Sequence, residues 1–163
     1  RAANVDVPAR LSACCAAFAR VAARRPVLFP VHPRTRRRLD DAGLAGPLRA
    51  AGVELAAPMP YLDFLARVRS AAVVATDSGG LPEEAAVLGV PCLTLRAVTE
   101  RPLTVSHGTN RLLGTDPRKI PAAVEAAASR PRRAQRPSRL WDGRAAERIV
   151  ADLTRRFRSR GNV

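Results

Sequence analysis

ATDSGGLPEEAAVLGVPCLTLRAVTERP, residues 75–102, is the stretch that decides the fold. Its first two residues close the apolar run AVVAT (72–76), LPEEAAVLG (81–89) reads as a helix, and PCLTL (91–95) is a second apolar run. A strand, a helix and a strand in that order make a βαβ unit, which joins parallel strands. Open parallel sheets bind ligands at the C-terminal ends of their strands. At that end the sequence puts Thr76-Asp77-Ser78-Gly79-Gly80. Two glycines let a ligand come close to the main chain, and a helix start offers unpaired amides and the positive end of a dipole. Together they suit a diphosphate. Ser78 adds a hydroxyl donor. Glycine, serine and aspartate are also the residues of an ordinary strand-to-helix turn, so the pattern alone leaves both readings open.

Pro82 fits the first helical turn, where a missing N–H costs nothing. Glu83 and Glu84 follow it. Each is explained by the helix dipole, worth about 0.3–1 kcal/mol when exposed. Each is also placed to accept the two hydroxyls of a ribose held one turn away, and spacing does not choose between them. Arg96 and Arg101 flank the loop after the second strand, which opens on the same edge if the strands are neighbours. There an arginine can meet a phosphate with its two-pronged fork. The competing reading pairs Arg101 with its neighbour Glu100 as a local ion pair.

Outward from this unit, strand and helix continue to alternate. Residues 8–25 space Leu11, Cys15, Phe18 and Val21 as one helical face, 27–31 is a buried strand, 34–43 a polar helix closed by Gly43, and 53–56 a strand. Residues 61–71 read as helix, 111–114 as a last strand, and 117–128 as helix. The expected fold is α/β: a Rossmann-like parallel sheet with helices on both faces, formed by residues 1–163 as one domain. Within it, 129–139 is a Pro- and Arg-rich surface linker and 143–159 a terminal helix with Ala146, Ile149, Val150 and Leu153 on one face.

Composition excludes several classes. The net charge is +14, but every basic residue except Lys119 is arginine, in an alanine-rich chain with four Phe, one Tyr and one Trp. That is a skewed composition without the aromatic platforms of a single-strand binder, and no nucleic-acid partner is expected. No run reaches the roughly 18 apolar residues of a membrane span, and the first residues lack a secretion signal. A cytoplasmic protein is expected. Cys14, Cys15 and Cys92 form no C-x-x-C pair and fit a reducing compartment, with Cys92 a core thiol. His32, at the end of the 27–31 strand, and His107, in a loop, have no acid spaced to orient them.

The run TDSGGLPEEAAVLGVPCLTLRAVTERP resembles the signature region of the non-hydrolysing UDP-N-acetylglucosamine 2-epimerases. FPVHPRT (29–35), YLDFL (61–65), GTNRLLGTD (108–116) and WDGRAAERI (141–149) agree in order. The resemblance covers nearly the entire chain. It implies the C-terminal, UDP-gripping domain of a GT-B-type pair of Rossmann-like domains, with the active site in the cleft between them. By position it implies Phe64 beside the uracil, Ser78, Gly79 and Gly80 on the diphosphate, Glu84 on the ribose hydroxyls, and Arg101 on the nucleotide. The family inverts C2 of the sugar by eliminating UDP and adding it back to the other face. Its acid and base groups are implied to lie upstream of Arg1, so no catalytic residue is expected in this chain. The implied partners are a UDP-sugar, the N-terminal domain and a second copy in a homodimer; neither a metal nor another cofactor is implied. Arg1 and His32 match positions that bind a regulatory UDP-N-acetylglucosamine in some bacterial members. Ala3 stands where the pattern has Glu, and Leu103 where an acid is usual. The alternatives are a UDP-sugar glycosyltransferase of the same fold and a non-catalytic UDP-binding remnant.

Overall fold

A computed structural model of the chain describes residues 2–130 and 141–160. The elements are α1 (Ala2–Val5), α2 (Pro8–Ala22), β1 (Val27–Pro30), α3 (Pro33–Asp41), α4 (Ala45–Ala50), β2 (Val53–Ala56), α5 (Tyr61–Ser70), β3 (Val74–Thr76), α6 (Leu81–Val87), β4 (Cys92–Thr94), α7 (Pro102–Ser106), β5 (Asn110–Leu112), a 3-10 turn (Pro117–Lys119), α8 (Ile120–Ala128) and α9 (Ala145–Arg160). All strand pairs are parallel, as the βαβ reading requires. β1 pairs with β2, and β3, β4 and β5 lie side by side in chain order, with Val74 opposite Cys92 and Cys92 opposite Asn110. The two groups do not join into one ladder among the described residues. Pro26 and Pro30 bracket β1 and remove two N–H donors that a continuous ladder could have used.

β4 displays the two-sided packing directly. Cys92 belongs to a cluster with Val68 of α5, Val74 and Ala85 of α6, whereas the next residue, Leu93, packs with Ala17 and Val21 of α2 and Ile120, Ala123 and Val124 of α8. Successive strand residues point to opposite faces, so helices cover both sides of this sheet. α2 also serves the other sheet: Leu11 and Cys15 pack with Val31, Leu39, Leu48 and Val53. One helix thus supplies two cores, which is why its buried positions (Leu11, Cys14, Cys15, Ala17, Val21) exceed a single stripe. Arg25, just past α2, grips Glu125 of α8 through two hydrogen bonds of 3.1 Å and holds that carboxyl below its usual range.

Expected and observed boundaries differ where local signals mislead. α2 stops at Ala22, not Arg25; β3 and β4 lose their outermost residues; β5 begins one residue early, at Asn110. Three helices escaped the sequence reading: the four-residue α1 and two others. α4, AGPLRA, contains Gly46 and Pro47 yet forms because Ala45 and Leu48 are buried. α7, PLTVS, is a single short turn with β-branched residues. The terminal helix starts at Ala145, after Gly143 in the left-handed region (φ 77°) and Asp142, whose carboxylate accepts from the Arg144 amide. Of the expected linker, Ser129 and Arg130 finish α8, and the remainder lies outside the described residues. No helix among the described residues is long and apolar enough to cross a membrane.

All three cysteines are buried and free. Burial pushes the Cys15 thiol up to about 11 and that of Cys92 up to about 12. The thiolate is the reactive form. We therefore expect the folded protein at pH 8 to resist iodoacetamide at all three positions and to react at all three in denaturant, as read by intact mass.

Candidate functional site

β3 ends at Thr76, and the chain turns through Asp77, Ser78 and Gly79 into α6, whose N-cap is Gly80. Thr76 shapes the turn by accepting a hydrogen bond from the Ser78 amide at 3.0 Å. Two features bear on the choice between an ordinary turn and an anion site. Gly80 has φ −87° and ψ −40°, a conformation any residue adopts, and a Cβ added to it would meet no atom within 4 Å. Gly79 is likewise not among the positive-φ glycines. The fold therefore makes no demand for glycine at 80, and the bareness of this position leaves space on the solvent side. Secondly, the amides of Gly79, Gly80 and Leu81 find no protein acceptor among the described residues, while the next two, of Glu83 and Glu84, bond to the Gly80 carbonyl at 2.9 and 3.4 Å. Three successive amides at a helix start are a receptor for negative charge.

The two acids of α6 separate by partner. Glu83 Oε2 lies 3.0 Å from Nε of Arg101. Glu84 Oε1 accepts from the hydroxyl of Tyr61, at the start of α5, at 3.3 Å. Burial, together with the charge of Glu84 and its bond, pushes the Tyr61 hydroxyl above its ordinary range. The loop after β4 does open on the edge used by the glycine turn, as the neighbouring strands imply. The competing reading, an Arg101–Glu100 ion pair, is not what forms. Glu100 pairs instead with Arg96 at 2.6 Å, the i,i+4 geometry leaving Arg101 free to cross to α6. Arg101 is also the N-cap of α7.

Phe64 sits one turn after Tyr61 on α5, partly buried against the cluster of Val68, Val74, Ala85, Val90 and Cys92. Its placement alone is explained by packing. Ser78 is exposed at the turn. His32 follows β1 and caps α3, its Nδ1 accepting from the Arg34 amide at 3.2 Å. His107 ends α7 in contact with the Ser106 hydroxyl at 2.9 Å. Arg1 lies outside the described residues. The segment before α2 lies over this edge: Asn4 donates to Asp77 at 3.0 Å and to the Leu95 carbonyl at 3.5 Å, and Asp6 pairs with Arg34 and Arg38 of α3. Tyr61 and the Glu83–Arg101 pair are what sequence reasoning missed. YLDFL was noticed as a motif, but nothing in a linear spacing brings α5 to α6.

Unclaimed amides at a helix start, with acids and an arginine gathered from neighbouring elements, characterise a Rossmann-like α/β domain with an anion-receptive edge. The family model described as UDP-N-acetylglucosamine 2-epimerase matches residues 1–154, and the chain belongs to that family. It is 40% identical over 131 residues to the UDP-N-acetylglucosamine 2-epimerase of Methanocaldococcus jannaschii, covering 80% of this chain and 35% of that protein. It is 45% identical over 100 residues to that of Methanococcus maripaludis, covering 61% and 27%. A crystal structure of the Methanocaldococcus jannaschii UDP-GlcNAc 2-epimerase in complex with UDP-GlcNAc and UDP superposes with a TM-score of 0.82 at 38% identity, covering 94% of this chain and 43% of that one. The chain thus spans about a third of the curated relatives it matches.

Proposed function

We propose that this chain is the UDP-holding part of an enzyme that interconverts UDP-N-acetylglucosamine and UDP-N-acetylmannosamine. The observation that carries the reading is the row of three successive amides at Gly79, Gly80 and Leu81 with no protein acceptor among the described residues, beside an open side-chain position at Gly80. In this reading Gly79, Gly80 and the Ser78 hydroxyl receive the diphosphate. Arg101 leaves Glu83 in part to meet it, Glu84 accepts the ribose hydroxyls with Tyr61 steadying one of its oxygens, and Phe64 borders the uracil. The anionic UDP is the leaving group. Elimination takes the C2 proton and breaks the C1–oxygen bond, giving 2-acetamidoglucal and UDP; return of UDP to C1 and of a proton to the opposite face of C2 gives the epimer. The residues of this chain hold UDP while it is detached, so that it recombines and is not lost. Proton transfer is assigned to the rest of the enzyme, an N-terminal domain across a cleft, in a cytoplasmic homodimer. The same edge would also suit a glycosyltransferase, and product analysis separates them: a mixture of the two UDP-sugars for epimerisation, free UDP with a glycosylated acceptor for transfer. His32 already has a structural task as the cap of α3, and its Nε2 is what would remain for a regulatory ligand with Arg1.

Calorimetric titration of UDP into the folded chain and its Glu84→Ala variant tests the site. Glu84 is only half-buried and its one described side-chain partner is the exposed Tyr61, so the variant should keep its melting temperature within a few degrees. Hydrogen bonds to a charged group contribute about 1.5–3 kcal/mol, so UDP affinity should drop by at least about tenfold. Equal affinity in a folded variant would remove the ribose role.

A further inference from the structure

Three buried polar side chains lie behind the Arg101 loop, in a region otherwise packed with apolar groups. Thr94, the last residue of β4, is 1% exposed; Asn110, the first of β5, 5%; and Thr104, in the middle of α7, 0%. They form one directed chain. The Thr94 hydroxyl donates to Oδ1 of Asn110 at 2.7 Å, Nδ2 of Asn110 donates to Oγ1 of Thr104 at 2.9 Å, and Thr104 Oγ1 donates to the carbonyl of Arg101 at 2.7 Å. The Thr104 amide donates to the same carbonyl at 3.0 Å. A carboxamide both accepts and donates, which is what a link between a hydroxyl donor and a hydroxyl acceptor requires; aspartate would offer two acceptors.

Burying polar groups in a core is unfavourable unless they are satisfied, and an apolar trio would pack as well without fixing any direction. What the directed chain does here is attach a five-residue helix, too short to be stable alone, to the paired strands β4 and β5. The point of attachment is the residue whose guanidinium reaches Glu83. We propose that Asn110, acting through Thr104, is a positioning residue for Arg101: the relay from β4 and β5 fixes the arginine's main chain, and so where its guanidinium can meet the diphosphate. This rests on the reading that Arg101 contacts the phosphates of UDP, and no part of the relay touches ligand itself.

The test compares UDP with uridine, which lacks the phosphates, by NMR shift titration into the folded chain. Thr104→Val keeps the side-chain volume and the amide bond but removes the donor to Arg101. A single hydrogen bond of about 0.5–1.5 kcal/mol predicts a roughly two- to tenfold weaker UDP complex and unchanged uridine binding. Thr104→Ser, which keeps the hydroxyl, should restore UDP binding. Arg101→Ala should weaken UDP at least as much, and Thr104→Val combined with it should add nothing, since the two act as one unit. If Thr104→Val does not fold, Thr94→Val, which leaves both bonds to Arg101 in place and removes only the donor to Oδ1 of Asn110, should give a smaller loss confined to UDP. Full UDP affinity in the folded valine variant beside a weakened Arg101→Ala overturns the relay alone, as does equal loss for UDP and uridine. Full UDP affinity in Arg101→Ala overturns the assignment of Arg101 to the phosphates, and the relay with it.

Discussion

Gly108→Ala is expected to be the most damaging single-methyl substitution in the domain. A Cβ at position 108 would overlap the carbonyl oxygen of Thr104 and lie 3.0 Å from both its carbonyl carbon and its Cα. The obstacle is backbone, so no side chain can swing away. Thr104 cannot retreat either, because its hydroxyl is held between Asn110 and Arg101. Overpacking of this kind costs about 1–3 kcal/mol, and more where the surroundings are fixed. We expect about 3 kcal/mol, which in a domain of this size lowers the thermal midpoint by roughly 10 °C. Calorimetry of the variant checks it, and a shift under about 2 °C would mean that α7 moves freely from the sheet.

Gly80→Ala should behave in the opposite way, sparing the fold and removing the ligand. At Gly80 the backbone is ordinary and no atom stands within 4 Å of the added methyl. Alanine stiffens the unfolded chain, a gain of about 0.4–1 kcal/mol, and is a poorer N-cap than glycine by a similar amount. The melting temperature should therefore hardly change. In the proposed site the methyl would add bulk at the turn that receives the diphosphate, where a phosphate oxygen must approach the main chain to hydrogen-bonding distance. A tenfold or greater loss of UDP affinity is expected by calorimetric titration. An unchanged affinity would show that the diphosphate does not approach Gly80, and the two glycines would then be accounted for as a turn.

The same contrast marks what was legible in the sequence. The strand-turn-helix passage through Gly79 and Gly80 was legible, and β3 does end at Thr76 with Gly80 capping α6; the same residues serve an ordinary turn and an anion site equally well. The parallel order of β3 and β4 followed from the intervening helix. The pairing of charges did not. From spacing, Glu100 is the nearest acid to Arg101, but the turn of α7 directs Arg101 toward α6 while Arg96 takes Glu100 at i,i+4. Tyr61 reaches Glu84 only because α5 and α6 pack together, a tertiary contact with no local signature. The short helices α4 and α7 were hidden for a related reason. Pro47 and the β-branched pair in PLTVS lower intrinsic helicity, and burial of Leu48 and Thr104 outweighs it. Asn110 stood just outside the strand read at 111–114, so its place at the start of β5 and its burial have no local signal.

β4 gathers these threads into only three residues. It pairs with a strand on each side, it sends Cys92 to one helical layer and Leu93 to the other, and it ends in Thr94, the origin of the relay. A strand so engaged cannot open by fraying; its amides meet solvent only when the layers on both sides separate together. Any ligand that favours the closed form therefore slows hydrogen exchange at this buried strand as well as at the surface turn it touches. Occupancy of the edge would be written into the least accessible amides of the domain.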